Sequence, residues 1–183
     1  MWLESQKPIT FQKSHNKMWD FFLFFKLFDY LCGVKKIKTK EINLDLLAEA
    51  LGFTNSEEAY NFINDGRITG RLGEFWVDGK RQNENAPFDV KNDNNERIEV
   101  RSITKKVSFA SSKEVGYGRS VTKEGFIEKL NSLDKYLLLD IRDLREGKVH
   151  IIEVNKEQLY KLPIGKNKDM SAKKFYEIYD RNK

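Results

Sequence analysis

The stretch Ala86-Pro87-Phe88-Asp89-Val90, followed by Ile98-Glu99-Val100-Arg101, decides the reading of this chain. Each piece has the pattern of a short strand carrying one acid among apolar neighbours, and Asn92, Asp93, Asn94 and Asn95 between them form a turn signal. The spacing predicts a hairpin that sets Asp89 beside Glu99 at a strand end. Two converging carboxylates, with a cation two residues after the second, can hold Mg²⁺ against a phosphate. The plainer alternative is that both acids are solvated, or that Glu99 pairs with a cross-strand Lys or Arg.

Outward from the hairpin, the pattern alternates between periods. Arg67 to Val77 reads as a helix with Leu72, Phe75 and Trp76 on one face, and it carries Glu74 just ahead of the hairpin. Lys106 to Ala110 reads as a third strand, and Val115-Gly116-Tyr117-Gly118-Arg119 as a Gly-rich loop. Thr122 caps a helix running to Asn131. Tyr136 to Ile141 is too continuously apolar to be half-exposed, which predicts a central strand. After the turn Arg145-Glu146-Gly147-Lys148 come a strand at Val149 to Val154, a short helix at Asn155 to Leu162, and a basic terminal helix from Ser171. The prediction for residues 66–183 is an α/β fold of the α+β kind, a mixed central β-sheet flanked by helices.

Residues 1–65 are predicted as an N-terminal helical subdomain. The run Met18 to Leu31 is strongly aromatic but short, and it holds Asp20, Lys26 and Asp29, so a core helix is expected rather than a membrane span. A basic turn with Lys35, Lys36, Lys38 and Lys40 follows, then two short helices at 43–52 and 54–63. Asn43 is expected to cap the first and Thr54 or Ser56 the second, with Gly52 closing the first. Such a pair can form a helix-turn-helix. Glu57 and Glu58 at the start of the second helix repel phosphate, which favours packing over groove reading.

Composition narrows the function classes. The single cysteine, Cys32, excludes an internal disulfide and most zinc sites. Only His15 and His150 occur, far apart, so a His-metal nuclease is not supported. The absence of a GxxxxGK[ST] loop argues against a nucleotide cofactor. Nothing resembles a signal peptide, and a cytoplasmic protein without membrane contact is expected. The net charge of +5 is unevenly spread: residues 101–129 hold seven cations against three acids, and 161–183 repeat that ratio. Such surfaces suit a polyanion, because neutralising phosphates releases counterions.

The order of elements, with Asp89 and then Glu99-Val100-Arg101 on consecutive strands, resembles the PD-(D/E)XK nuclease superfamily, especially small type II restriction endonucleases, over about residues 67–154. Pro87-Phe88-Asp89 is similar to the "PD" element with one residue inserted, and Glu99-Val100-Arg101 to the acid-x-lysine element. The resemblance implies a restriction-endonuclease-like core and a homodimer that cleaves double-stranded DNA at a specific sequence. It implies one or two Mg²⁺ ions held by Asp89, Glu99 and Glu74, with Arg101 where the family has lysine. Arg101 can stand in for that lysine, Lys105 or Lys106 can reach in, or catalysis is lost. A different alignment takes Asp89-Val90-Lys91 as the acid-x-lysine element with Glu74 as the upstream acid.

DNA contacts are expected from Lys105, Lys106, Ser111, Ser112, Lys113, Tyr117, Arg119 and Lys123, with Arg119 aimed at a guanine edge. Two other readings stay open. One is a non-catalytic DNA-binding regulator built on the N-terminal helices; the other is a structure-selective nuclease such as a junction resolvase.

Overall fold

The strand carrying Glu99 lies inside a six-stranded mixed sheet. The computed structural model describes residues 34–83, 86–110 and 122–181. The elements are β1 (Lys35–Glu41), α1 (Leu44–Leu51), α2 (Ser56–Ile63), α3 (Gly66–Trp76), β2 (Lys80–Arg81), β3 (Val90–Lys91), β4 (Arg97–Ile103), β5 (Lys106–Ser108), α4 (Lys123–Asn131), β6 (Lys135–Asp140), β7 (Lys148–Asn155), α5 (Lys156–Lys161), β8 (Asp169–Ser171) and α6 (Ala172–Arg181). The sheet order is β1-β7-β6-β4-β3-β2, and β5 pairs with β8 as a separate ribbon. Only β4 and β6 run parallel, with Val100 level with Leu137. Parallel neighbours need a crossover, and the segment holding β5 and α4 supplies it.

β6 is central, as its unbroken apolar run predicts, and helices cover both faces of the sheet. On one face Ile98, Val100, Leu137, Leu139 and Ile151 pack against α1, α2 and α3. On the other, Ile103, Tyr136, Leu138 and Ile152 meet residues of α4, α5 and α6, among them Leu130, Leu159 and Phe175. Because side chains alternate along a strand, Glu99 and Arg101 fall on this second face. Among the described residues no helix is long and apolar enough to cross a membrane.

Local signals explain the element ends. Asn43 accepts from the Leu46 N–H and caps α1, which Gly52 ends in the left-handed conformation at φ 72°. The cap of α2 is Asn55, accepting from Glu58 N–H, rather than Thr54 or Ser56. Thr122 caps α4, and Asn155 and Gln158 form a reciprocal capping box on α5. The hairpin turn is closed by Asn92, whose side chain accepts from Glu96 N–H at 2.9 Å. Asn95 takes φ 61°, a conformation that asparagine tolerates well.

Two expectations need correction. Residues 35–41 form an edge strand paired to β7, not a basic turn in a helical stretch, so the segment before residue 65 contributes to the main sheet. Its lysines read as a solvated turn because edge strands carry the same charges to discourage further pairing. The third strand, β5, is short and leaves the main sheet to pair with β8. The aromatic run at 18–31, with Cys32 and His15, lies outside the described residues.

α3 owes its position to three glycines spaced along one face. A Cβ on Gly66 would lie 2.6 Å from Thr104 Cγ2, and one on Gly73 would lie 2.9 Å from Val100 Cγ1 and clash with Leu139. Gly70 faces Ser102 at 3.7 Å. Each glycine costs a helix roughly 1 kcal/mol relative to alanine, so the close approach to β4 and β6 is what holds this helix. Gly73→Ala should therefore destabilise the protein by about 1–3 kcal/mol through overpacking, despite improving helix propensity; chemical denaturation measures the sign.

The joint between α4 and β4 is ionic. Asp134 accepts from Arg97 N–H at 2.8 Å, and its two oxygens take Arg97 Nε at 3.0 Å and Nη2 at 2.8 Å. These bonds lower its carboxyl to about 2. A depressed carboxyl stabilises the fold above its unfolded value and loses that contribution as pH falls through the folded one. Stability should drop between about pH 4 and pH 2, and Asp134→Asn should flatten that part of an acid titration followed by circular dichroism.

Candidate active site

Asp89 and Glu99 meet because of the hairpin register. Val90 pairs with Ile98 at the end of the ladder, and Asp89, the residue before it, is close enough to Glu99 for its charge to act on that carboxyl. The backbone N–H of Asp89 donates to the Ile98 carbonyl at 3.0 Å. Its carboxylate Oδ2 accepts from Val100 N–H at 2.8 Å, which fixes the side chain against β4. No donor among the described residues reaches Oδ1.

Glu99 is buried, with its two oxygens divided between two cations. Lys129 Nζ, from α4, bonds Oε2 at 2.6 Å and also the Pro87 carbonyl at 2.6 Å. The Arg101 guanidinium bonds Oε1. Side-chain exposure separates the partners: 8% for Lys129 and 26% for Arg101. Burial holds the Glu99 carboxyl above the usual range; Arg101 pulls it down, Asp89 pushes it up and Lys129 pulls it down. The same surroundings, burial first, push the Tyr136 phenol far up, and its hydroxyl donates to the Phe109 carbonyl at 2.7 Å.

Asp89 and Arg101 open onto a cleft of about 790 Å³ between α3 and the end of the sheet. Arg67 and Arg71, one turn apart on α3, line it together with Lys106. Glu74 also lines the cleft but does not join the other two acids. Its carboxylate is held by Arg81, through Nη2 at 2.8 Å and Nε at 3.0 Å, and by Arg71 at 3.4 Å. Arg81 in turn stacks on Phe75, so Glu74 ties β2 to α3. Gln82 N–H then bonds the Asp89 carbonyl at 2.8 Å, linking that tie to the candidate acid. Among the described residues no three His, Cys, Asp or Glu side chains are grouped to hold a metal.

The remaining expected residues divide in three. Lys105 is exposed at the β4–β5 turn and Lys123 at the start of α4. Lys106 is paired with Asp169 at 2.6 Å. Ser111, Ser112, Lys113, Tyr117 and Arg119 lie outside the described residues. Lys91 is exposed and pairs in the ladder with Arg97 on one side and Lys80 on the other. His150 is held at both ring nitrogens, by Thr39 Oγ1 at 2.9 Å and Asp143 at 2.8 Å, as suits a structural histidine.

Lys129, Arg67 and Arg71 were not among the expected residues. The signal for Lys129 is its place among apolar residues: Phe126 and Leu130 on α4, and Leu133 just past its end, belong to the core on this face. A cation at that position needs a buried partner. Comparison with protein-family models, with curated proteins and with solved structures finds no match to this chain.

Removing one partner of a buried ion pair strands the other charge. Lys129→Ala should therefore cost about 3–5 kcal/mol in denaturant unfolding. Lys123→Ala, on the same helix but exposed, should stay within about 0.5 kcal/mol.

Proposed function

We propose that the chain is a Mg²⁺-dependent endonuclease acting on double-stranded DNA, with its active site at Asp89 and Glu99. The observation that carries this reading is a pair of neighbouring carboxylates, Glu99 held by a buried lysine and Asp89 by a strand N–H, with Asp89 on the wall of a cleft lined by arginines. The donor set suits a hard cation. Magnesium takes one or two carboxylates, completing its shell with waters and phosphate oxygens, and Asp89 Oδ1 has no other partner among the described residues.

Asp89 and Glu99 would hold the ion, which supplies an acidified water and neutralises charge on the scissile phosphate. Val100 N–H orients Asp89. Lys129 keeps Glu99 charged and aligned, and Arg101 supplies a planar double donor suited to phosphate oxygens. Arg67 and Arg71 offer backbone contacts that position a duplex without reading its sequence. Glu74 acts in this reading as the anchor of Arg81 rather than as a metal ligand. Cutting both strands of a symmetric site calls for two copies of the chain.

Plasmid DNA and a synthetic four-way junction incubated with the purified protein, with Mg²⁺ or with chelator, test this. Discrete metal-dependent plasmid fragments are expected, abolished in Asp89→Asn and Glu99→Gln while salt-sensitive DNA retention persists. Preferential cutting of the junction would favour a structure-selective nuclease. Retention without cleavage in the wild type would favour a non-catalytic DNA-binding protein.

A further inference from the structure

Glu99's two counter-ions differ in kind, and the difference assigns them different roles. Lys129 is enclosed, and its ammonium bridges Glu99 to the Pro87 carbonyl, so its departure would leave Glu99 Oε2 without a donor. Arg101 has Glu99 as its one partner among the described residues, is about three times as exposed, and lines the cleft where Lys129 does not. The oxygen that Arg101 covers, Oε1, belongs to the residue just before Val100, whose N–H holds the Asp89 carboxylate. A guanidinium and a divalent cation cannot both sit against that oxygen at close range, because like charges repel.

We infer that Arg101 is an exchangeable counter-ion: it neutralises Glu99 in the metal-free protein and is displaced into the cleft when a divalent cation binds between Asp89 and Glu99. This rests on the metal-dependent nuclease reading above and adds a competition to it. In that competition Arg101 weakens metal binding and becomes available to the substrate phosphate only after the metal has arrived. A lysine would leave the acid more readily but as a point charge, without arginine's paired donors. Phosphate contact is thereby made conditional on metal occupancy.

The experiment is calorimetric titration of Mn²⁺ and of Mg²⁺ into the full chain without DNA, for wild type, Arg101→Gln and Asp89→Asn. Arg101→Gln should bind the ion about three- to tenfold tighter, as expected for removing a partly exposed competing ion pair. Its cleavage should nevertheless be slower, and Asp89→Asn should lose binding. As a second readout in the wild type, the Arg101 guanidinium ¹⁵N resonance should shift on titration with Mg²⁺, which does not require a variant to fold. Binding that weakens with Asp89→Asn, but is equal or weaker in Arg101→Gln with an unmoved Arg101 resonance, would overturn the exchange and leave the metal site standing. No binding in any of the three proteins would overturn both.

Discussion

An ionised carboxylate on an inner strand costs several kcal/mol of lost hydration unless it is paired and hydrogen-bonded. Glu99 meets that condition on β4, between the core residues Ile98 and Val100. Its needs organise the surrounding chain. α4 must present Lys129 inward, which obliges the helix to run along the second face of the sheet with Phe126, Leu130 and Leu133 packed beside the cation. The segment before β3 must present the Pro87 carbonyl to the same ammonium. Asp134, just past α4, then locks that helix to the first residue of β4. One buried charge thus fixes a helix, a loop and a strand relative to each other. A sheet serving stability alone is better served by an apolar residue at this position, since replacing buried ion pairs by packed hydrophobes is often stabilising.

The opposite face follows a different rule. There the glycines of α3 bring the helix against Val100 and Leu139, by close packing on β4 and β6. A helix drawn that close raises its outer residues alongside the strand end, so Arg67 and Arg71 stand at the cleft that Arg101 enters from the sheet. Glu74 belongs to this arrangement. Its carboxylate neutralises arginines from both β2 and α3, and the short β2 strand keeps its place through that contact and two ladder pairs. The cleft is therefore framed by ionic ties at its rim and by close packing at its base.

Much of this is legible in the sequence. The acids of the hairpin, its asparagine turn, the continuous apolar β6, and the caps Asn43, Gly52 and Thr122 are local signals, and local signals survive folding. What stays hidden is set by distant partners. Lys129 is one of seven cations between residues 101 and 129, and only its place on the apolar stripe marks it as buried. Lys35 to Glu41 has no apolar alternation, because an edge strand with one solvated side can carry lysines throughout. β5 reads as a strand whatever it pairs with; that its partner is β8, far along the chain, is not written in either segment. Glu74 looks like a site acid by position, and its tie to Arg81 stays hidden because Arg81 lies on a two-residue strand too short to recognise.

The arginine at position 101 takes on a different meaning once Lys129 is placed. From the sequence alone, Glu99-Val100-Arg101 is a buried-strand acid followed two residues later by a cation. In the fold, Glu99 has a lysine, delivered by a helix later in the chain instead of by its own strand. The ammonium arrives from beneath the sheet, where it is enclosed and also bound to a backbone carbonyl, and so serves to orient the acid. The position on the strand is then released from that duty. An arginine there lines the cleft, so its role reduces to where its guanidinium points. Two cations around one carboxylate leave exposure as the property that distinguishes them, and exposure assigns the permanent contact to Lys129 and the movable one to Arg101.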